Sequence, residues 1–339
     1  MFQGRFVGGA APPPGWSVDA VLRAEREGGS VSVLDYSDKD SNLVENLLDT
    51  KSGWMIRDQG PRGTCNAFAV VAAEELVRSK RDGHKPFQLF SEEHLYAAMR
   101  AIPPDWVGLQ ANAKSTSFQD RTGTTFLAQA ARALTDIGLC RRELMPYRKD
   151  RLKAGFVVKN RPFEADNDAA QRRLEAREIT HNIVEIDAPV TSQLDIRWKT
   201  PLNGTVADLF VAKLKQGLPV VAAFAIVSNG GVNAWFGPEA RQFGKVRYPS
   251  SDRLAGAEAA RGHTVCLVGF VPAKDSASEG WFLIRNSVGR PRFGWEATGT
   301  GKMPRALAPG YGYIPVATVN LFCWEYLVRT DPDSAIPRG

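Results

Sequence analysis

The chain of 339 residues predicts an α+β fold built as two halves that face each other across a cleft. Two observations carry this. Up to residue 178 the apolar residues recur mainly with helical spacing, and from residue 179 they gather in short β-rich runs bounded by glycine, proline and polar clusters. The composition, 43% hydrophobic and 24% charged, is ordinary for a globular chain and supplies ample material for a core.

The elements follow in order. Residues 1–16 are rich in glycine and proline and read as a loose arm, followed by a strand-like piece, VSVLDY, at 31–36. AFAVVAAEELVRSKRDG (67–83) is apolar on every face over its first seven residues, the mark of a helix buried all round. Thr64 is placed to cap it, Arg78, Lys80 and Arg81 crowd its last turn, and Gly83 supplies a stop. A second helix starts in FSEEHLYAAMR, with Ser91 as cap and Glu92 and Glu93 in the first turn, and a third is TTFLAQAARALTDIG, ending at Gly138. Beyond these, ITHNIVEI (179–186) alternates like a strand and ADLFVAKLKQG reads as a helix. The runs LPVVAAFAIV, HTVCLVGF, GWFLIRNS, GYGYIP and VNLFCWEYLV then read as strands. The expected organisation is an arm and lead-in over 1–50, partly flexible, a mainly helical lobe over 51–178, a β-rich lobe over 179–328 and a flexible tail over 329–339.

Charge and cysteine usage narrow the function. The net charge is +6, but 43 basic and 37 acidic residues are interleaved, without the aromatic-basic alternation of a nucleic-acid surface. No apolar run is long enough to span a bilayer, and the first residues lack the apolar core of a signal peptide. Neither a nucleic acid nor a membrane is expected as a partner, and a cytoplasmic location is the simplest expectation, with delivery by injection left open. Four cysteines, Cys65, Cys140, Cys266 and Cys323, lie far apart in no disulfide or zinc-ligand spacing, so no metal or cofactor is expected.

Cys65 stands in RDQGPRGTCNAFA (57–69), at the start of the buried helix. A helix N-terminus favours a thiolate, and its free N–H groups can bind an anion forming on a substrate. On its own, Cys65 reads more simply as a buried small hydrophobe. A thiolate nucleophile needs a histidine, and a histidine needs an orienting group. Of four histidines, His84, His94 and His181 lie in polar or half-buried settings. His263 opens the strand TVCLVGF behind Gly262, and Asn286 ends the strand WFLIR, an arrangement that could bring both side chains to one rim.

These segments together resemble the papain-like cysteine peptidases. DQGPRGTCNAFA is similar to their nucleophile segment, Q-G-x-C-G-S-C-W-A-F, with Gln59, Gly60, Gly63, Cys65, Ala67 and Phe68 in register. GHTVCLVGF resembles the histidine segment and WFLIRNSVG the asparagine segment. FSEEHL, GTTFLAQAARALTDIGL with MPY, GLPVVAAFAI and GYGYIP give weaker echoes in the same order, so the likeness runs from residue 54 to 328. It implies a two-lobed fold, a helical lobe against a β-barrel-like lobe, with the active site in the cleft. It also implies Cys65 as nucleophile, His263 as general base and then acid, Asn286 as the group orienting the imidazole, and Gln59 as oxyanion donor. Gly123 and Gly262 would meet the substrate backbone, and the partner would be a protein or peptide substrate. A close thiolate–imidazolium pair is expected, cleaving peptides through a thioester, with an endopeptidase the leading form.

Several positions depart from the pattern. Arg62 replaces a cysteine that normally forms a disulfide, Asn66 replaces a tryptophan, and Val288 stands where a tryptophan shields the asparagine; Trp295 is a candidate substitute for that shield. Segments 148–178, 228–258 and 289–309 read as added loops. No long helical propeptide is evident before the catalytic segment. The alternatives are a related transamidase or deamidase using the same thiol, and a catalytically weak binding module on the same scaffold.

Overall fold

A computed structural model of the chain describes residues 10, 17–19, 22–23, 56–81, 88–102, 124–149, 186–187, 194–198, 206–229, 232–248, 254, 258–272, 280–289, 292–295 and 309–329. The helical part holds α1 (Cys65–Arg81), α2 (Glu92–Ala101) and α3 (Leu127–Asp136). Helix α1 packs on α2 and α3 and on the sheet behind it, which is why residues 65–78 are buried on all sides. Its buried charged residues Glu74, Glu75 and Arg78 are each paired. Glu74 accepts from Arg78 Nε at 3.1 Å and from Arg329 at 3.1 and 2.5 Å, while Glu75 pairs with Arg57. Ser91 caps α2 as expected, its side chain accepting from His94 N at 2.9 Å. At α3, Gln129 Oε1 accepts from Phe126 N at 2.9 Å and the Glu325 carboxyl accepts from Ala128 N at 2.9 Å, so two orphan donors of the first turn are satisfied.

The strands are β1 (Leu139–Cys140), β2 (Ile186–Asp187), β3 (Leu194–Trp198), β4 (Val220–Asn229), β5 (Val232–Asn233), β6 (Glu258–Val271), β7 (Trp281–Arg285), β8 (Tyr311–Pro315) and β9 (Cys323–Arg329). Strands β1 and β2 pair with each other. The other seven form one antiparallel sheet in the order β3-β9-β4-β6-β7-β8, with β5 folded back on β4. Helices α4 (Val206–Lys215), α5 (Pro238–Phe243) and α6 (Val316–Phe322) accompany the strands.

One expectation, a strand over all of VNLFCWEYLV, is corrected. Among the described residues the strands of the barrel-like lobe form an open antiparallel sheet. The outer edge of β8 is met by the turn after α5 instead of by β3: Tyr313 N donates to Gly244 O at 2.7 Å and Val246 N to Tyr313 O at 2.9 Å. Only glycine fits at 244, whose φ is 68° and whose Cβ would stand 2.5 Å from Tyr311 O. The run VNLFCWEYLV is half helix: α6 takes residues up to Phe322 and β9 begins at Cys323. Tertiary packing overrides the β-branched composition here, because α6 lies against α4 and Asn320 Oδ1 accepts from Ala207 N at 3.0 Å at the start of α4. VSVLDY, Gly83 and ITHNIVE (179–185) lie outside the described residues.

One hydrophobic core runs through the molecule, joining α1, α3 and α4 to β4, β6, β7, β8 and β9. Arg329 closes β9 and, through Glu74, fastens the last strand to α1.

Candidate active site

Cys65 is fully buried at the first position of α1. The preceding turn is held from several sides. Phe68 N donates to Thr64 O at 3.1 Å, Thr64 Oγ1 lies 2.8 Å from Tyr147 Oη, and Tyr147 Oη donates to Gln59 O at 2.8 Å. Arg62, in place of a cysteine, makes a buried two-pronged ion pair with Glu93 at 2.7 and 3.0 Å. Its guanidinium also lies over the rings of Tyr96 and Tyr147, at 5.4 and 4.9 Å from their centroids. The same turn-to-α2 tie that a disulfide could make is made here by charge and ring contacts.

Strand β6 carries His263, paired in register with Phe224 of β4, and Asn286 follows β7 immediately. His263 Nε2 lies 2.8 Å from Asn286 Oδ1. The proton can be placed from the chemistry of the neighbours. Asn286 Oδ1 also accepts from Ser287 N at 2.7 Å, and a backbone N–H can only donate, so the atom facing His263 is the amide oxygen. His263 Nε2 must then carry the proton, which leaves Nδ1 as the basic nitrogen. Burial pulls the His263 pKa down to about 4, against the upward pull of the Asn286 hydrogen bond. Desolvation thus outweighs the one bond that favours the charged form.

The ring is walled by aromatic side chains. Trp235 meets His263 edge to face with centroids 4.9 Å apart, and Phe236 stands at 6.3 Å. Trp235 is itself pinned by an Nε1–H bond of 2.8 Å to Tyr248 Oη. Trp295 is 50% exposed, and the tryptophan in contact with His263 is Trp235. The tryptophan at the histidine comes from the segment between β5 and α5, where sequence order alone gave no reason to look.

Gln59 is fully buried beside this pair. Its backbone N donates to Ser287 O at 2.8 Å, its Oε1 accepts from Ser287 Oγ at 2.6 Å, and its Nε2 donates one hydrogen to Arg62 O at 2.8 Å. Gln59 and Asn286 are thus locked to each other through Ser287, a positioning residue that the sequence reading did not single out. Asn66 ties the two halves together one residue beyond Cys65 and His263. It accepts from Thr264 Oγ1 and donates through Nδ2 to Thr125 O at 2.7 Å. A tryptophan there has no acceptor for the Thr264 hydroxyl.

Gly262 does meet a peptide backbone, that of the chain's own Ala10. Ala10 N donates to Gly262 O at 3.3 Å, Gly262 N donates to Ala10 O at 2.9 Å, and Ala10 forms a parallel bridge to Thr125. Ala10 is fully buried, so the arm is not loose at this residue. Gly123 lies outside the described residues; Thr125 is the residue bridged to Ala10. Among the described residues no group of histidine, cysteine and acidic side chains could hold a metal, and no helix is long and apolar enough to cross a membrane.

No family model matches the chain, and no curated protein sequence matches it. Among solved structures, xylellain, a cysteine protease from Xylella fastidiosa, aligns over 100% of both chains with 16% identity and a TM-score of 0.53. The fold is that of the papain-like cysteine proteases. Procathepsin B S9 from Trypanosoma congolense aligns over 96% of this chain and 86% of its own, with 12% identity and a TM-score of 0.47. The structure from the mite allergens Blo t 1 and Der p 1 aligns over 81% and 66%, with 18% identity and a TM-score of 0.47. Cys65 opens α1, and His263 on β6 and Asn286, just after β7, come from adjacent strands of the sheet.

Proposed function

We propose that the chain is a cysteine peptidase of the papain-like type, with Cys65 as nucleophile, His263 as base and then acid, and Asn286 as the residue positioning the imidazole. The reading rests chiefly on one observation: Asn286 Oδ1, fixed by Ser287 N, forces the His263 proton onto Nε2 and leaves Nδ1 basic. That is the tautomer a thiol-activating histidine requires. The Asn66–Thr264 bond supports it by coupling the residues adjacent to Cys65 and His263.

In this mechanism His263 Nδ1 takes the Cys65 proton as the sulfur attacks a substrate carbonyl. The oxyanion is received by the Cys65 backbone N–H and by the second Gln59 Nε2 hydrogen, the first being committed to Arg62 O. His263 returns the proton to the leaving amine, and a thioester remains on Cys65. Water then attacks the thioester with His263 as base, releasing the acid and restoring the thiol. An endopeptidase acting in the cytoplasm is the form we favour, with a protein or peptide as substrate.

Cleavage of a mixed peptide library, followed by mass spectrometry, tests the reading. Cys65→Ala and His263→Ala are each expected to abolish hydrolysis. Activity surviving either change would refute the assignment, and incorporation of a free amine into glutamine peptides without hydrolysis would favour the transamidase instead.

A further inference from the structure

Ala10 and Gly262 exchange both backbone hydrogen bonds, the arrangement of a hydrogen-bonded antiparallel pair. Residues opposed in this way carry their Cβ atoms on the same face, roughly 4.5–5.5 Å apart. The face in question is already filled. A Cβ built on Gly262 would stand 2.1 Å from Trp324 Cζ2, 2.8 Å from Trp324 Cη2 and 2.8 Å from Phe224 O. Trp324 is fully buried at the head of β9, and β9 and β6 flank β4 on its two sides. The end of the indole therefore stands beside the position toward which a residue paired with Gly262 directs its side chain, on the same face. Ala10, whose side chain is one methyl group, occupies that position with no exposed surface.

We infer that Trp324 sets the substrate class of this site: a peptide whose residue paired with Gly262 is glycine or alanine, larger side chains being excluded by the indole. The inference deepens the peptidase reading and rests on it for the word substrate, but the size rule at Gly262 stands on geometry alone. The chain's own stretch around the occupant, Gly8-Gly9-Ala10-Ala11, has the same small-residue composition. That segment and a substrate would compete for the same backbone pair.

Two measurements on the full chain test this. In a positional-scanning peptide library, one position near the scissile bond should accept glycine and alanine and reject leucine and phenylalanine by about tenfold or more. Trp324→Ala should relax that position and leave the others unchanged. Bulky residues accepted at every position by the unmodified chain would overturn the inference, as would a profile that Trp324→Ala does not alter. The second measurement needs no catalysis: hydrogen exchange at the Gly262 N–H, which donates to Ala10 O. Ala10→Gly should preserve protection, Ala10→Phe should speed exchange about tenfold or more, and adding Trp324→Ala to Ala10→Phe should restore protection. Equal protection in Ala10→Phe and the unmodified chain would overturn the size rule even if the Trp324 variant fails to fold. A library in which nothing is cleaved, with the exchange pattern as expected, would refute the peptidase reading and uphold the size rule.

Discussion

His263 lies under two opposing influences. Burial drives its pKa down to about 4, while Asn286 pulls it up. Trp235 supplies one wall of the dry site through its edge-to-face contact. Replacing it with alanine should admit water and raise the His263 titration midpoint from about 4 toward the ordinary 6.5, read from the ring proton by NMR. A midpoint that stays at the acid value would show that Trp235 does not dry the site. Cys65, His263, Asn286 and Gln59 could be proposed from the sequence because each sits in a short motif, and the His263–Asn286 contact at 2.8 Å is the part of that proposal visible in the fold. Trp235, Trp324 and Thr125 were not, since they reach the site by tertiary packing and no local pattern records which side chain arrives there.

The turn before α1 and the start of α2 are joined by Arg62 and Glu93, buried and hydrogen-bonded at 2.7 and 3.0 Å. Glu93 also accepts from Arg148 N at 2.9 Å, so the carboxylate organises three segments. Removing the cation leaves that charge buried and uncompensated. Arg62→Ala should cost about 3–5 kcal/mol of stability in urea denaturation. Arg62→Lys should recover only part of it, since an ammonium cannot make the forked contact; a loss below about 1 kcal/mol in Arg62→Ala would place the pair among weakly contributing ones. The helices α1, α2 and α3 were legible from capping and periodicity, as were β4, β6, β7 and β8 from short apolar runs. The boundary between α6 and β9 was not, because Val, Phe and Leu suit both states and the decision rests on packing against α4. The open edge of the sheet was likewise invisible, since it depends on the distant turn at Gly244 reaching β8.

Over the whole molecule, buried ionisable groups set opposing pH slopes. Burial holds both His94 and His263 down at about 4, below their ordinary 6.5. The folded state thus binds fewer protons than the unfolded one between those values, and the stability these residues confer above pH 6.5 is lost as pH falls toward 4. Glu325 acts oppositely: burial raises it from 4.5 to about 8, so stability falls as pH rises through that window. Denaturation midpoints taken across pH should show a maximum between these flanks, and Glu325→Gln should flatten the upper one. An unchanged upper flank in that variant would mean Glu325 does not set it.

The central claim is that Cys65 is the thiol activated by His263, and covalent labelling reaches it most directly. A peptidyl epoxide should add once per chain, at Cys65 in a peptide map, with labelling lost in Cys65→Ala and strongly slowed in His263→Ala. Labelling at Cys140, Cys266 or Cys323 instead, or at Cys65 with equal speed when His263 is removed, would contradict the account.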